Sequence, residues 1–497
     1  MRKRFEQQQE LDATLIQDVQ FDSRSRHELP KLLAGLQYIF VRAELNEQIF
    51  TIMESHVLEG KKSTGRLGMS LWEILVLGTM RLNLDIDYDN LQDLTNNHEK
   101  VRGMLGVDSK KVFSSGKYYA MQTLKDNVRL LTPELLEQIS EVVVKAGHQL
   151  KKNESDEPID LKFKSDSYVV ESTIHFPTDL NLLWDSARKS LDTIGAILNH
   201  HHLSGWNKRN YWRRKVKSAY KRSSNIHHRR GKDYKTRLKS ATGVYLDRCE
   251  ILSEKVGHSL KQLDSEGVVN IQVFALETQL RYYQSMLTKH IDLVNRRILQ
   301  DQQIPHEEKV FSIFEPHVEW VQKGKHHKKV ELGHNVLITT DQFHFIVDHN
   351  VMVNQRDPSQ PIELSTRLVK RFGEGYGLDS ISFDKGFYSQ LAYEQLTKAF
   401  NMVVMPKKGK LSKQLQQQYS ESEFVALRNK HSAVESNINE VEHAGLNRVP
   451  DKGLYGFKKY VALGVLAYNL KRLGRIVIEK KLLPTVVPRG GLGKKAA

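Results

Sequence analysis

The chain is poor in the residues and patterns that several common chemistries require. It has one cysteine, Cys249, in 497 residues. An internal disulfide is excluded, as is a zinc site built on paired cysteines, and a reducing compartment is the expected setting. No apolar run approaches the roughly 18 residues of a membrane-spanning helix. The longest, around 71–77 and 461–470, are shorter and contain polar residues. The opening MRKRFEQQQELDATL is charged and polar, so no signal peptide is expected. A Walker loop, a GxGxxG before a helix and a GxSxG nucleophile elbow are all missing. The histidine runs His200–His202 and His326–His327 do not read as ligand pairs, because adjacent residues do not face one another on a helix. The expectation is a soluble cytoplasmic protein.

Positive charge, by contrast, is abundant. The formal net charge is +16 and the sequence pI about 9.5, which suits a polyanionic partner. Most of the excess lies in 208–239, which holds fourteen Lys or Arg against one acid, Asp233. The block comprises Lys208, Arg209, Arg213, Arg214, Lys215, Lys217, Lys221, Arg222, Arg229, Arg230, Lys232, Lys235, Arg237 and Lys239. Such density repels itself unless an anion neutralises it, and nucleic-acid phosphates are the natural anion. Trp206, Tyr211, Trp212, Tyr220 and Tyr234 are interleaved with the cations and are candidates to stack on unpaired bases. The plainer alternative is a solvated helix face.

Three acids stand in distinctive settings. Asp166 lies in LKFKSDSYVVES and Asp384 in SISFDKGFYS, both in or at the end of short β-rich apolar runs. Glu435 lies in HSAVESNINEVEHAGLNR, a polar stretch of helical character. Two strand-borne aspartates and a helix-borne glutamate are able to converge on two divalent cations, the arrangement that cuts and joins phosphodiesters in line. Each has an ordinary alternative. Asp166 would serve as a solvated strand-edge residue, with Asp160, Asp179 and Asp185 as rivals; Asp384 as a helix N-cap; Glu435 as a surface residue near Glu440 and Glu442. The case rests on the trio.

The order of patterns suggests an α/β protein. Residues 1–155 read as helical, with Thr132 capping LTPELLEQISEVVVKAGHQLKK, and the polar KKNESDEP precedes the Asp166 strand. From about 186 to 302 the pattern is helical with few strand signals, an insertion too long for an ordinary loop. VFSIFEPHVEWV, VELGHNVLITTD and FHFIVDHNVMV read as strands, followed by LSTRLVKRFGEGY (helix), LDSISFD (strand), FYSQLAYEQLTKAF (helix) and NMVVMPKK (strand). The stretch from about 420 to 483 reads as helical, and the tail 484–497 as disordered.

SDSYVVESTIHFPTDLNLLWDSAR, KGKHHKKVELGHNVLIT, SFDKGFYS, VESNINEVEHAGLNRV and the following VLAYNLKRLGR resemble the DDE transposases of bacterial insertion sequences, most nearly the ISNCY-type group and its relatives. The N-terminal LWEILVLGTMRLNLDIDYDNLQDLTNNHEKVRGMLGV is similar to the helical region before those catalytic domains. The resemblance spans about 35–475. It implies an RNase H-like mixed-sheet catalytic core at 156–483 with a large helical insertion after its first strand. Residues 1–155 would be a helical domain for DNA binding or dimerisation. Asp166, Asp384 and Glu435 match the family's acids in order and setting, 218 and 51 residues apart.

Further expectations follow from the likeness. Two Mg²⁺ (or Mn²⁺) would be held by the three acids for endonuclease cleavage and strand transfer. The partners would be double-stranded DNA, as terminal inverted repeats and target, and a second copy bridging paired ends. The location would be the bacterial nucleoid. Many relatives carry Tyr, Arg and Lys at minus seven, minus four and plus seven from the glutamate; here these are Arg428, His431 and Glu442. His431 remains able to contact phosphate, and Lys430, His443 or Arg448 would have to replace the missing lysine. Lys325, Lys328 and Lys329 are further candidates for phosphate contact. A DNA-binding protein without catalysis is the alternative, and an RNA-binding or RNA-cleaving protein shares the charge and fold class.

Overall fold

The computed structural model describes residues 2–5, 14–22, 24–60, 67–107, 117–152, 157–229, 231–267, 270–322 and 330–482. Arg230, Lys325, Lys328, Lys329 and the tail 484–497 lie outside the described residues. The chain forms two compact units, 1–173 with 321–497, and 174–320.

The first unit is built around a mixed sheet. Its strands are β1 (Ile159–Ser172), β2 (Glu319–Val321, at the border in sequence between the units), β3 (Glu331–Thr340), β4 (Ile346–Met352), β5 (Tyr376–Phe383), β6 (Met402–Val404) and β7 (Arg448–Val449). β1 is central. β3 runs antiparallel to it and β4 antiparallel to β3, while β5 is parallel to β1 and β6 parallel to β5. The order across the sheet is thus β4-β3-β1-β5-β6, and β7 pairs with the far end of β1. The sequence VFSIFEPHVEWV, expected as a full strand, is irregular except for β2. Pro316 falls within it and Ser312 Oγ accepts the backbone N–H groups of Phe314 and Glu315, an arrangement that competes with a ladder.

Helices cover this sheet. Thr132 caps Pro133–Lys151 through the N–H of Leu135, and Ser70 with Glu73 forms a reciprocal capping box for Leu71–Asn83. The helix Gly453–Glu479 is buried along most of its length. It crosses Glu28–Val41 closely: a Cβ at Gly474 would come 1.8 Å from Lys31 O, and one at Gly35 2.2 Å from Leu470 O. The helices before residue 155 share one apolar core with the sheet, in which Leu36, Trp72 and Leu136 join Val336, Phe345 and Val465. A buried pair reinforces this: His148 Nε2 lies 2.6 Å from Asp341 Oδ2, both side chains fully buried.

The second unit is helical, with Asp179–Ile197, Arg209–Arg229, Tyr234–Glu266 and Ile271–Val294. It begins before the expected position 186, because Thr178 caps the first of these helices. Its own core includes Leu183, Trp184, Leu191, Tyr245, Leu252 and Leu287. Cys249 is buried there, and burial holds its thiol far above the ordinary value, so it is not a nucleophile. Among the described residues no helix is long and apolar enough to cross a membrane.

Candidate functional site

Strand alternation sorts β1 into two faces. Leu161, Phe163, Ser165 and Ser167 share one, where Phe163 packs against Phe372 and Phe400. Lys162, Lys164, Asp166 and Tyr168 share the other. Register then decides what stands beside Asp166. Lys164 pairs with Ser382 and Ser165 with Phe383 along the parallel β1–β5 ladder. The ladder ends at that pair; Asp166 is the next residue of β1, and Asp384 is the first residue past the end of β5. Asp166 is half-buried and one carboxylate oxygen accepts the Ser167 N–H at 2.7 Å.

Asp384 is exposed. It precedes the short turn Lys385–Phe387 in the N-cap position, yet its side chain caps nothing. The cap of the following helix, Gln390–Leu396, is Ser389. The Asp384 carboxylate makes no hydrogen bond or ion pair among the described residues.

The polypeptide carrying Glu435 runs over the same face. Ser422–Lys430, Ser432–Val441 and a π turn at Glu442–Leu446 follow one another, and His431 between the first two keeps helical dihedrals. His431 Nδ1 lies 3.0 Å from Ser382 Oγ, which anchors the start of Ser432–Val441 beside the end of β5. At the other end, Tyr168 of β1 donates its hydroxyl to Leu446 O. Val434, Ile438 and Val441 are buried beneath the helix, and Glu435, one turn beyond His431, is exposed at the edge of that buried stripe. The anchors bracket Asp166 on β1, and Glu435 lies on the helix between them. Among the described residues, no three His, Cys, Asp or Glu side chains are grouped closely enough to hold a metal ion by themselves.

The rival acids are engaged elsewhere. Asp185 lies between His175 (3.1 Å) and Arg188 (3.0 Å), and Asp179 pairs with Arg297 at 2.6 Å. Glu440 pairs with Lys471 (3.0 Å) and Arg475 (2.6 Å). Burial pushes its carboxyl up, but these two cations outweigh burial and hold it below the usual value. Asp160 is exposed on β1, six residues before Asp166. Glu442 sits near Tyr168, whose hydroxyl is driven up by burial and then by that carboxylate.

The neighbouring basic groups are perturbed. Burial lowers His431, against the pull of Asp384, and Lys164 lowers it further, so the imidazole is neutral near pH 7. Burial also lowers Lys164, with Asp341 opposing and Lys430 assisting. Arg448 stands at the far end of β1, paired with Glu171 at 3.1 Å and five residues beyond Asp166. An acid that the sequence reading missed is Asp357, which accepts Ser167 Oγ–H at 2.9 Å. It lies in an Asp-Pro turn, an ordinary loop signal with no mark of function.

In the helical unit the basic block divides by role. Arg214, Lys217, Lys221, Arg222 and Arg229 are exposed on one broad side of Arg209–Arg229, opposite the buried Val216, Ala219 and Ser223. Lys208, just before the helix, is exposed too. None of these six forms an ion pair among the described residues. Arg213 instead pairs with Asp192 at 2.7 Å, and Lys215 lies over the rings of Tyr211 and Trp212. Arg209 is partly buried. The aromatic residues expected to stack on bases are mostly structural. Trp206 is 4% exposed and donates its indole N–H to Ser259, and Tyr220 stacks on Trp184. Tyr211 alone of the five is a largely exposed ring.

Comparison with known proteins found no matching family model, no similar curated protein and no similar solved structure.

Proposed function

We propose that this chain is a DDE-type DNA transposase that cleaves phosphodiesters at the ends of an insertion sequence and transfers the freed ends into target DNA. The observation that supports this reading is the parallel β1–β5 ladder, which ends at Ser165 and Phe383, the residues immediately before Asp166 and Asp384. The order β4-β3-β1-β5-β6, with three antiparallel strands and two parallel ones, supports an RNase H-like core. Its first acid lies on the first strand, its second directly after the fourth long strand, and its third on a later helix.

The donor set fits a hard divalent cation. Both aspartates offer oxygen, at least one is exposed, and Mg²⁺ keeps several waters, so one or two carboxylates per ion suffice. We assign Asp166 and Asp384 as ligands for two Mg²⁺ (or Mn²⁺), with Glu435 completing the set. Bound there, the ions would supply the charge that activates an attacking oxygen and stabilises the departing one.

The chain's own residues do the rest. β1, hydrogen-bonded on both sides, fixes Asp166; Ser382 fixes the His431 ring near Asp384; and the exposed cations of Arg209–Arg229 hold DNA phosphates. His431 lies close enough to the aspartates to serve DNA contact, whereas Arg448 would act at the far end of β1. Double-stranded DNA, a second copy on paired ends and a cytoplasmic, nucleoid location belong to the same proposal.

The exposure of Glu435 favours a second reading, a DNA-binding protein without catalysis. Incubation of the full chain with labelled duplex DNA flanking its own gene, in Mg²⁺ or EDTA, decides between them. Mg²⁺-dependent nicking at the element's end should occur, and Asp384→Ala should lower it at least about 1,000-fold with DNA binding intact. Tight binding without cleavage in Mg²⁺ or Mn²⁺ would establish the second reading.

A further inference from the structure

We propose that Lys164, together with the Nε2 edge of His431, forms an anion seat that receives a phosphodiester oxygen of the DNA beside the aspartate pair. The inference rests on the phosphodiester chemistry proposed above and adds a residue that the acid triad and the basic helix do not include.

Lys164 occupies an unusual position for a lysine. It lies within the central strand, paired with Thr340 on one side and Ser382 on the other. It is two residues before Asp166 with no irregularity in between, so both side chains leave the same face of the sheet. Ser382 Oγ holds His431 Nδ1 at 3.0 Å, which places the imidazole over the Lys164–Ser382 pair. The other ring nitrogen, Nε2, is buried without a hydrogen-bond partner.

Lys164 is half-buried and has no ion pair or hydrogen bond among the described residues. The acid whose charge acts on it, Asp341, is already committed: His148 lies at 2.6 Å from one oxygen, and the N–H groups of Phe343 and Phe345 donate to the other at 2.8 and 2.9 Å. Lys430 adds a second positive charge nearby rather than a counterion. Withdrawing a cation from water without a partner is costly, and a ligand anion offsets that cost. A non-bridging phosphate oxygen would accept from the ammonium and, in the Nε2–H tautomer, from His431.

The test uses the full chain as wild type, Lys164→Gln and Lys164→Arg. Each is given the element-end duplex and the same duplex with one neutral methylphosphonate at the scissile position. A charge-assisted hydrogen bond is worth about 1.5–3 kcal/mol, so Lys164→Gln should slow single-turnover cleavage about 10–100-fold. Its DNA affinity should change less than about threefold, and Lys164→Arg should recover most of the rate. The methylphosphonate should slow the wild type and have little further effect on Lys164→Gln, a coupling that a merely structural lysine would not produce. An equal methylphosphonate penalty in both proteins overturns the seat.

A wild type that does not cleave refutes the transposase reading alone. The seat is then judged by thermal unfolding in inorganic phosphate against chloride of equal ionic strength. A phosphate-dependent rise in Tm that Lys164→Gln abolishes supports it. No rise in the wild type, or an equal rise in both proteins, overturns it.

Discussion

In the sheet-bearing unit several charges are drawn inward and neutralised; in the helical unit one face of Arg209–Arg229 keeps its charges exposed and without ion pairs among the described residues. Lys471 is 3% exposed and bound by Glu440 and Glu28, while Asp348 is fully buried between Arg367 and Arg371 at 2.8 and 2.9 Å. These pairs join helices to one another and to the sheet, so they fix where the helix bearing Glu435 lies. The helical unit instead builds its interior from aliphatic and aromatic side chains and arrays Arg214, Lys217, Lys221 and Arg222 on the outer side of one helix. Like charges three and four residues apart cost an isolated helix about 0.2–0.5 kcal/mol per pair. A sequence that retains them has a use for them away from folding. Paired charge inside the first unit serves architecture, and the exposed stripe of Arg209–Arg229 is the surface proposed to meet DNA.

Experiments that would break or sharpen this contrast differ in size of effect. The largest concerns the aromatic core of the helical unit. Trp206→Ala should destabilise that unit by about 4 kcal/mol, because a buried ring and its bond to Ser259 are lost. Denaturant unfolding followed by circular dichroism measures it. An unchanged midpoint with weakened DNA binding would return Trp206 to the role of base-stacking residue.

The next effect appears as pH dependence in the first unit. Burial lowers His349 to about 4 from an ordinary 6.5, so the folded protein keeps it neutral while the unfolded chain takes up a proton. The folded state therefore carries no penalty from this group above about pH 6.5 and loses stability as pH falls towards 4, by up to about 3 kcal/mol. His349→Gln should remove that part of the slope in urea unfolding measured between those limits.

Changing Arg214, Lys217, Lys221 and Arg222 together to Ala should weaken duplex binding about 100-fold near physiological salt and reduce the slope of log K against log salt by about 3.6. The melting temperature should stay within a few degrees, since none of the four is paired. Fluorescence anisotropy over a salt series reads both quantities. A large loss of stability with unchanged affinity would assign the exposed stripe to folding.

The smallest effect belongs to Tyr211, half exposed beside that stripe. Tyr211→Ala should reduce affinity for single-stranded DNA about fivefold, near 1 kcal/mol, and leave duplex affinity unchanged. Competition between the two DNA forms separates the outcomes.

Much of this architecture was legible from pattern. The alternation in VELGHNVLITT and the run LDSISF became β3 and β5, and Thr132 capped the helix that its position announced. Such features are local: a period of two or an oxygen at the right step acts within a few residues. Burial of Trp206 and Tyr220 was not legible, because interleaving with cations looks the same whether a ring faces a base or another helix. Only packing against Ser259 and Trp184 distinguishes them. The irregularity of VFSIFEPHVEWV was likewise hidden, since its apolar content is that of a strand.

By itself the sequence determined composition, the excess of basic residues, the helical and extended segments, and the presence of Asp166, Asp384 and Glu435. The tertiary structure alone decided that Ser165 and Phe383, the residues just before Asp166 and Asp384, pair across β1 and β5 although 218 residues separate them in the chain. It also decided that Asp179, Asp185 and Glu440 are already paired, and that Lys164 shares the face of the aspartates with no acid of its own. The physical reason is register. A shift of one residue between β1 and β5 would turn every side chain to the opposite face, and the whole packed core sets that alignment.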